Sequence, residues 1–268
     1  MLVRDLESSL LARFPRRDAE AWDHVGLSVG DPDVKVRGVL CSLDATLDSL
    51  HAACSSGCNV LLTHHPVYIS APDSFCPPSA ERPSSSAVVY EAARLGVSVI
   101  SLHTNLDRSH EARDSLPGLL GMEARSSLEY PNDPDATGLG SLCVCDPITL
   151  GDLAVRLRDS FETAPTVWGD PKMTVSRPAF LGGSLGDFGE LAMRAGADVV
   201  VTGEVGYHRA QDLSLRGMGV VALGHDRSEQ PFCSILADAC VSIGVPAEHV
   251  YVNPLPMQWW VPTQGDFA

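Results

Sequence analysis

A chain of 268 residues, 44% hydrophobic and 20% charged, carries enough apolar material for one large α/β domain or two modest lobes. Its 34 acidic residues against 19 basic ones leave a formal charge of −15 with no basic run, so neither nonspecific nucleic-acid binding nor attachment to an anionic membrane is expected. No apolar run reaches the ~20 residues of a membrane span, and Arg4, Asp5 and Glu7 fall too early for a secretory leader.

Leu6, Leu10 and Phe14 stand four residues apart beside Leu11, which predicts an amphipathic helix over 4–14 ended by Pro15. Residues 21–32 read as an ordered loop leading into a short strand. Residues 37–43 form a strand closed by Asp44-Ala45-Thr46, and a helix runs to about Ser56 with Gly57 behind it. A strand over 59–62 delivers Thr63-His64-His65, and Pro66 forbids any continued ladder. The Pro- and Ser-rich stretch 70–86 is a long loop, either idle surface or a flap over a site. A helix over 87–95 and a strand over 97–102 lead to His103-Thr104-Asn105-Leu106-Asp107.

Prolines, aspartates and glycine across 131–138 mark a lobe boundary, giving an N-terminal α/β lobe over 1–130 and a C-terminal one over 131–268. The C-terminal segment is expected to pack back on the first lobe. Beyond the boundary come a strand over 142–145 and a helix capped by Thr149 that runs to about Phe161. A strand over 179–181 enters a tight turn at Gly182-Gly183-Ser184-Leu185-Gly186, a sequence that could cradle phosphate but fits no nucleotide fingerprint. A helix to Ala195 and a strand over 198–201 reach Thr202-Gly203-Glu204. Another helix and a strand over 220–223 reach Gly224-His225-Asp226-Arg227-Ser228-Glu229. A helix over 232–243 and a strand over 250–252 finish the chain.

The two halves repeat one pattern. Gly57 and Gly196 are displaced by the same number of positions as Thr63 and Thr202, and His103 with Asp107 matches His225 with Glu229 in the same way. Two diverged α/β repeats whose strand tips face a shared crevice account for this. Ligands collect outside the carboxyl ends of strands in such sheets. An isolated His-His pair is usually just the polar start of a loop. Here, however, adjacent residues on an extended chain point to opposite sides, so His64 and His65 could each reach a different ion. Imidazoles and carboxylates at the strand tips suit zinc, iron, manganese, nickel or cobalt. Asp107 or Glu229 could bridge two such ions, whose shared water would be held as hydroxide at neutral pH. The eight cysteines include no CxxC pair; Cys54 and Cys58 are read as facing a core from one helix. Together with the missing leader, this pattern suggests reduced thiols in a cytoplasm.

Trp22-Asp23-His24-Val25-Gly26-Leu27, Leu62-Thr63-His64-His65-Pro66, His103-Thr104-Asn105-Leu106-Asp107, Gly182-Gly183-Ser184, Asp198-Val199-Val200-Val201-Thr202-Gly203-Glu204 and Gly224-His225-Asp226-Arg227-Ser228-Glu229 together resemble the NIF3-like family. Its members are also described as dinuclear metal centre hexameric proteins or GTP cyclohydrolase type 2 homologues. The resemblance implies a two-lobed α/β fold, a homohexameric ring built as a trimer of dimers, and two divalent metal ions per subunit facing an inner cavity. It implies His65 and Asp107 on one ion, His64 and His225 on the other, and Glu229 bridging both. His103 would then be a proton shuttle or a supporting residue, and Glu204 and His208 would line the crevice as further catalytic candidates. His24 stands where the family pattern has Asn, and the insert of some longer members is missing. The tail from Gln258 extends past the usual end, with Trp259-Trp260 docking on a neighbouring subunit or covering the protomer's own core. The function implied is metal-dependent hydrolysis of a nucleotide or related heterocycle by a metal-bound hydroxide, although no guanine-reading motif is present. The alternatives are a metal chaperone or insertase, or a regulatory scaffold without turnover.

Overall fold

The computed structural model describes residues 1–254 and 259 of the chain. The first half runs α1 (Val3–Arg13), β1 (Gly26–Val29), β2 (Val39–Ser42), α2 (Leu47–Ser55), β3 (Val60–Thr63), α3 (Ser84–Leu95), β4 (Ser98–Ser101), α4 (Thr104–Asp107) and α5 (His110–Gly118). The second half runs β5 (Ala124–Ser126), β6 (Ser141–Cys143), β7 (Ile148–Thr149), α6 (Leu150–Phe161), β8 (Thr166–Trp168), β9 (Thr174–Val175), β10 (Pro178–Ser184), α7 (Phe188–Arg194), β11 (Val199–Glu204), α8 (Tyr207–Leu215), β12 (Gly219–Ala222), α9 (His225–Glu229), α10 (Phe232–Ser242) and β13 (Val250–Val252).

Two sheets carry the molecule. The first has the order β1-β4-β3-β2-β13 and the second β5-β6-β10-β11-β12-β8. In the first, β2, β3 and β4 are parallel, and β1 runs antiparallel on the far side of β4. In the second, β10, β11 and β12 are parallel, and β8 runs antiparallel on the far side of β12. Strand β13 returns from the chain's last described stretch to lie parallel beside β2, so the first sheet contains residues from both ends of the sequence. Strand β5 already pairs with β6, so the change of sheet falls upstream of residue 131.

Side-chain alternation across each strand explains the layering. Val39, Val60, Leu62, Val199, Val201 and Val221 point inward and join one buried cluster with Leu6 and Leu10 of α1, Leu153 and Leu157 of α6, and Leu236 of α10. Their neighbours Leu40, Leu61 and Val99 face the other way, onto Leu50 and Ala53 of α2 and Ala92 of α3. Val200 and Val220 likewise face Ala192 of α7 and Leu213 of α8. One core thus lies between the sheets, and one helical layer covers each outer face.

Several elements differ from the sequence expectation. Gly182 and Gly183 lie inside β10 rather than in a turn, at a register shift between Leu181 and Ser184. The two His-x₃-carboxylate segments that follow β4 and β12 wind into the short helices α4 and α9. Strands β5, β7, β8 and β9 have two or three residues each, too few for an alternating pattern to register. Helix α2 stops at Ser55 because Gly57 takes φ +74°, which leaves Cys54 exposed on the helix and Cys58 buried beyond it. All eight cysteines are free. Among the described residues, no helix is long and apolar enough to cross a membrane.

Leu236 is fully buried where α10 meets the shared core. Replacing it by alanine is expected to cost about 2–5 kcal/mol, read as a lower urea midpoint at an unchanged slope; an unshifted midpoint would contradict a core shared by both sheets.

Candidate metal centre

The backbone beyond β3 stays bound to the end of β2: the His64 and His65 amides donate to the carbonyls of Ser42 and Leu43. Thr63 Oγ1 donates to the His65 carbonyl at 2.7 Å, pinning the tip. The two imidazoles consequently leave in different directions. His64 is fully buried, and its Nδ1 donates to the Leu102 carbonyl at 3.1 Å. That bond fixes the tautomer and leaves a bare Nε2. This nitrogen faces Asp107 Oδ1 at 3.4 Å and Glu229 Oε1 at 3.8 Å. Neither His64 Nε2 nor Asp107 Oδ1 has a hydrogen-bond partner, though both atoms are enclosed. Two buried lone-pair acceptors facing one another are unfavourable unless a cation or proton stands between them, so these residues fit a metal ion.

His65 makes the complementary arrangement. Its Nδ1 lies 2.8 Å from Asp44 Oδ1 and its Nε2 2.8 Å from Glu229 Oε2. His225 Nε2 reaches the same oxygen at 3.1 Å, and its Nδ1 lies 3.3 Å from Glu204 Oε1. The two oxygens of Glu229 thus face different imidazoles: Oε1 lies 3.8 Å from His64 Nε2, and Oε2 faces His65 and His225. The resemblance implied His65 with Asp107 and His64 with His225; here His64 Nε2 lies 3.4 Å from Asp107 Oδ1, and His65 Nε2 lies 2.8 Å from Glu229 Oε2. His103 stands alongside, its ring centroid 5.3 Å from that of His64 and 5.6 Å from that of His65. The nitrogens of His64, His65 and His103 form one group able to hold an ion, and His65, His225 and Glu229 form another.

The α4 and α9 turns explain the carboxylate spacing, since residues four apart share a helix face. Glu229 also needs empty space. A Cβ on Gly183, which has φ +62°, would collide with Glu229 Oε1, and one on Gly182 would come within 3.1 Å of its Cγ. The Gly183 amide donates to Ser228 Oγ at 2.9 Å, closing β10 against α9. The paired glycines therefore make room for a carboxylate rather than for a phosphate.

Protonation follows the contacts. Burial pushes Asp107 up, aided by the Glu229 charge, to about 7. Burial would also raise Glu229, but the imidazoles of His225 and His65 beside its Oε2 hold it well below the usual carboxylate range. Burial alone would lower His65; its bonds to Asp44 and Glu229 outweigh this and raise it to about 10. His225 rises to about 9, chiefly through its bond to Glu229. Asp23 stays below its ordinary value despite burial because His103 and Thr104 donate to it.

Of the five sequence-predicted ligands, His64, His65, His225 and Glu229 fall in these groups with His103, and Asp107 adjoins them through Oδ1, 3.4 Å from His64 Nε2. Glu204 is exposed at the rim, where it meets only the outer nitrogen of His225. His208 lies on an exposed stretch of α8 with its ring 5.2 Å from that of Tyr207, and neither ligand group includes it. Two carboxylates were missed: Asp44, which holds His65, and Asp23, which holds His103 at 2.9 Å. Asp44 ends the strand beside β3, so the strand-tip position that singled out the histidines also pointed to it. Trp259 lies against its own chain, at Asp226; Trp260 falls outside the described residues.

Fold and site together define a two-sheet α/β protein with a candidate metal centre at its strand tips. The chain belongs to the Duf34/NIF3 (NGG1p interacting factor 3) family, which matches residues 1–249. It is 28% identical over 239 residues to the GTP cyclohydrolase 1 type 2 homolog of Clostridium acetobutylicum, covering 88% of each chain. The namesake of Streptomyces coelicolor is 29% identical over 241 residues, covering 87% of this chain and 83% of the relative. A hypothetical protein of Staphylococcus aureus has the same fold, with a TM-score of 0.87 at 23% identity over 98% of this chain and 99% of that one. Reduced HcgD from Methanocaldococcus jannaschii superposes with a TM-score of 0.76 at 21% identity over 94% and 97%.

His65 and His225 are raised, hence protonated in the metal-free protein at pH 7. A metal must displace those protons, so affinity should climb with pH across neutrality by about tenfold per unit for each proton released. Calorimetric zinc titrations in buffers of different ionisation enthalpy measure the release directly. An affinity flat between pH 6.5 and 8.5 would contradict the contacts described.

Proposed function

We propose that the protein is a dinuclear metal-dependent hydrolase acting on a nucleotide or a related heterocycle. The observation that carries this reading is the division of Glu229: one oxygen faces His64, whose Nε2 also faces Asp107, and the other faces His65 and His225. Two donor sets sharing a single carboxylate suit a pair of ions. When bound, such ions supply Lewis acidity and an acidified water. Asp44 and Glu204 orient the imidazoles of His65 and His225 through their outer nitrogens. His103, anchored through Nδ1 on ionised Asp23, is suited to accept and return a proton at Nε2. The names of the curated relatives, GTP cyclohydrolase 1 type 2 homolog, support a nucleotide as substrate. Zinc, iron, manganese, nickel and cobalt all suit the donors.

Further readings accompany this one. The matched strand order of the two sheets supports an origin by duplication, with the ligands facing a crevice between two lobes. A homohexameric ring in the cytoplasm is the assembly proposed from the family resemblance. One observation favours a second function, metal handling: the His225 side chain is 39% exposed, so the ion it touches would have a path to solvent.

Elemental analysis joined to a nucleotide hydrolysis panel tests these readings. Wild type should hold two ions per chain, and Glu229→Gln should lose both sets along with activity. Asp44→Asn should weaken binding by about 10–100-fold. If fully metallated protein hydrolyses no nucleotide, and His65→Ala alters only metal content, the hydrolase reading fails. Rapid loss of metal to a chelator would then support metal handling.

A further inference from the structure

One aromatic side chain at the mouth of the centre has no part in holding metal. The indole Nε1 of Trp259 lies 3.0 Å from each carboxylate oxygen of Asp226, the residue directly after His225. Its Cζ2 edge rests on Gly224, where a Cβ would come within 2.9 Å and the backbone holds φ +103°. Both the space and the conformation at that position suit glycine. The indole is thus seated by a hydrogen bond and by shape, yet 43% of the residue stays exposed. With His65, Glu204, His225 and Asp226 it borders an open pocket of about 370 Å³, a size within the roughly 300–1,000 Å³ of small-molecule sites.

The chemistry of that pocket is uneven. Asp44, Glu204 and Asp226 line it beside the imidazoles of His65 and His225 and the indole of Trp259, so groups of both charge types border it. Both oxygens of Asp226 face the indole N–H, which orients the ring. The contact that remains attractive whatever the charge is the aromatic surface itself.

We propose that Trp259 is a specificity-determining residue that selects ligands carrying a planar heterocycle, by stacking that ring at the mouth of the metal centre while the rest of the ligand reaches toward His65 and His225. This rests on the nucleotide-directed reading above and adds to it the residue that recognises the ring. Stacking accepts any base, because every base has a π-face; this accords with a chain that lacks a guanine-reading motif. It makes Trp259 a reader of ring against no ring, not of one base against another.

Zinc-loaded full-length protein, titrated at equilibrium with GMP and with ribose 5-phosphate, tests the assignment, since the two probes share a sugar phosphate and differ by the ring. Wild type should prefer GMP. Trp259→Ala should weaken GMP by roughly 5- to 150-fold and leave ribose 5-phosphate and zinc content unchanged. Trp259→Phe, which keeps an aromatic face but loses the bond to Asp226, should recover part of the preference. Equal weakening of both probes, or unchanged GMP affinity in Trp259→Ala, would overturn the role of Trp259 while the nucleotide reading stood. A wild type that binds GMP no better than ribose 5-phosphate would overturn both.

Discussion

A carboxylate that is only 4% exposed governs this structure. Burying the Glu229 charge costs several kcal/mol unless it is met by partners, and elements of both sheets supply them. His64 and His65 come from the tip of β3, and His225 comes from the same helical turn as Glu229 itself. The second sheet also yields space, through two glycines at the end of β10. The carboxylate is therefore one polar contact between halves that also share apolar packing, the β2–β13 ladder and the Arg13–Ser242 hydrogen bond.

That packing explains why the strand tips can be so polar. The central parallel strands β2, β3, β4, β10 and β11 are largely buried, so their middles hold mainly apolar side chains, and Ser42, Thr63, Ser101, Ser184 and Glu204 stand at their carboxyl ends. Position there is set by the strand ladders, which are rigid, and by the helical turns α4 and α9. The imidazoles are in turn oriented from behind, His64 by a carbonyl, His65 and His103 by aspartates. Each of the three thus presents its other ring nitrogen toward the cluster, a common feature of sites prepared for an ion.

Much of this was legible in the sequence because the signals were local. The strands β2, β3, β4, β11 and β12 are short apolar runs ended by glycine, proline or polar residues, and the ligands follow them directly. The five candidate ligands were recognisable by type and by place at a strand tip. What stayed hidden depends on contacts distant in sequence. Gly182 and Gly183 look like a turn until Glu229, far along the chain, is seen to occupy the space they leave. Asp23 and Asp44 look like loop residues until the imidazoles they hold are placed against them. His208 was expected from the resemblance to line the crevice, but it stands exposed on α8. The pairing of donors also required geometry, since a single hydrogen bond to Leu102 decides which way His64 faces.

The way β13 and α9 fall late in the chain has a consequence for biosynthesis. His65 leaves the ribosome 164 positions before Glu229, the residue it must meet. At translation speeds of about 5–20 residues per second, that gap is roughly 8–30 s. Throughout it the early imidazoles lack their shared carboxylate, and the β2 edge stays unpaired until Val250–Val252 arrives. The first sheet can therefore not be completed before Val250–Val252 has been made, and the shared site can assemble only after Glu229 has emerged.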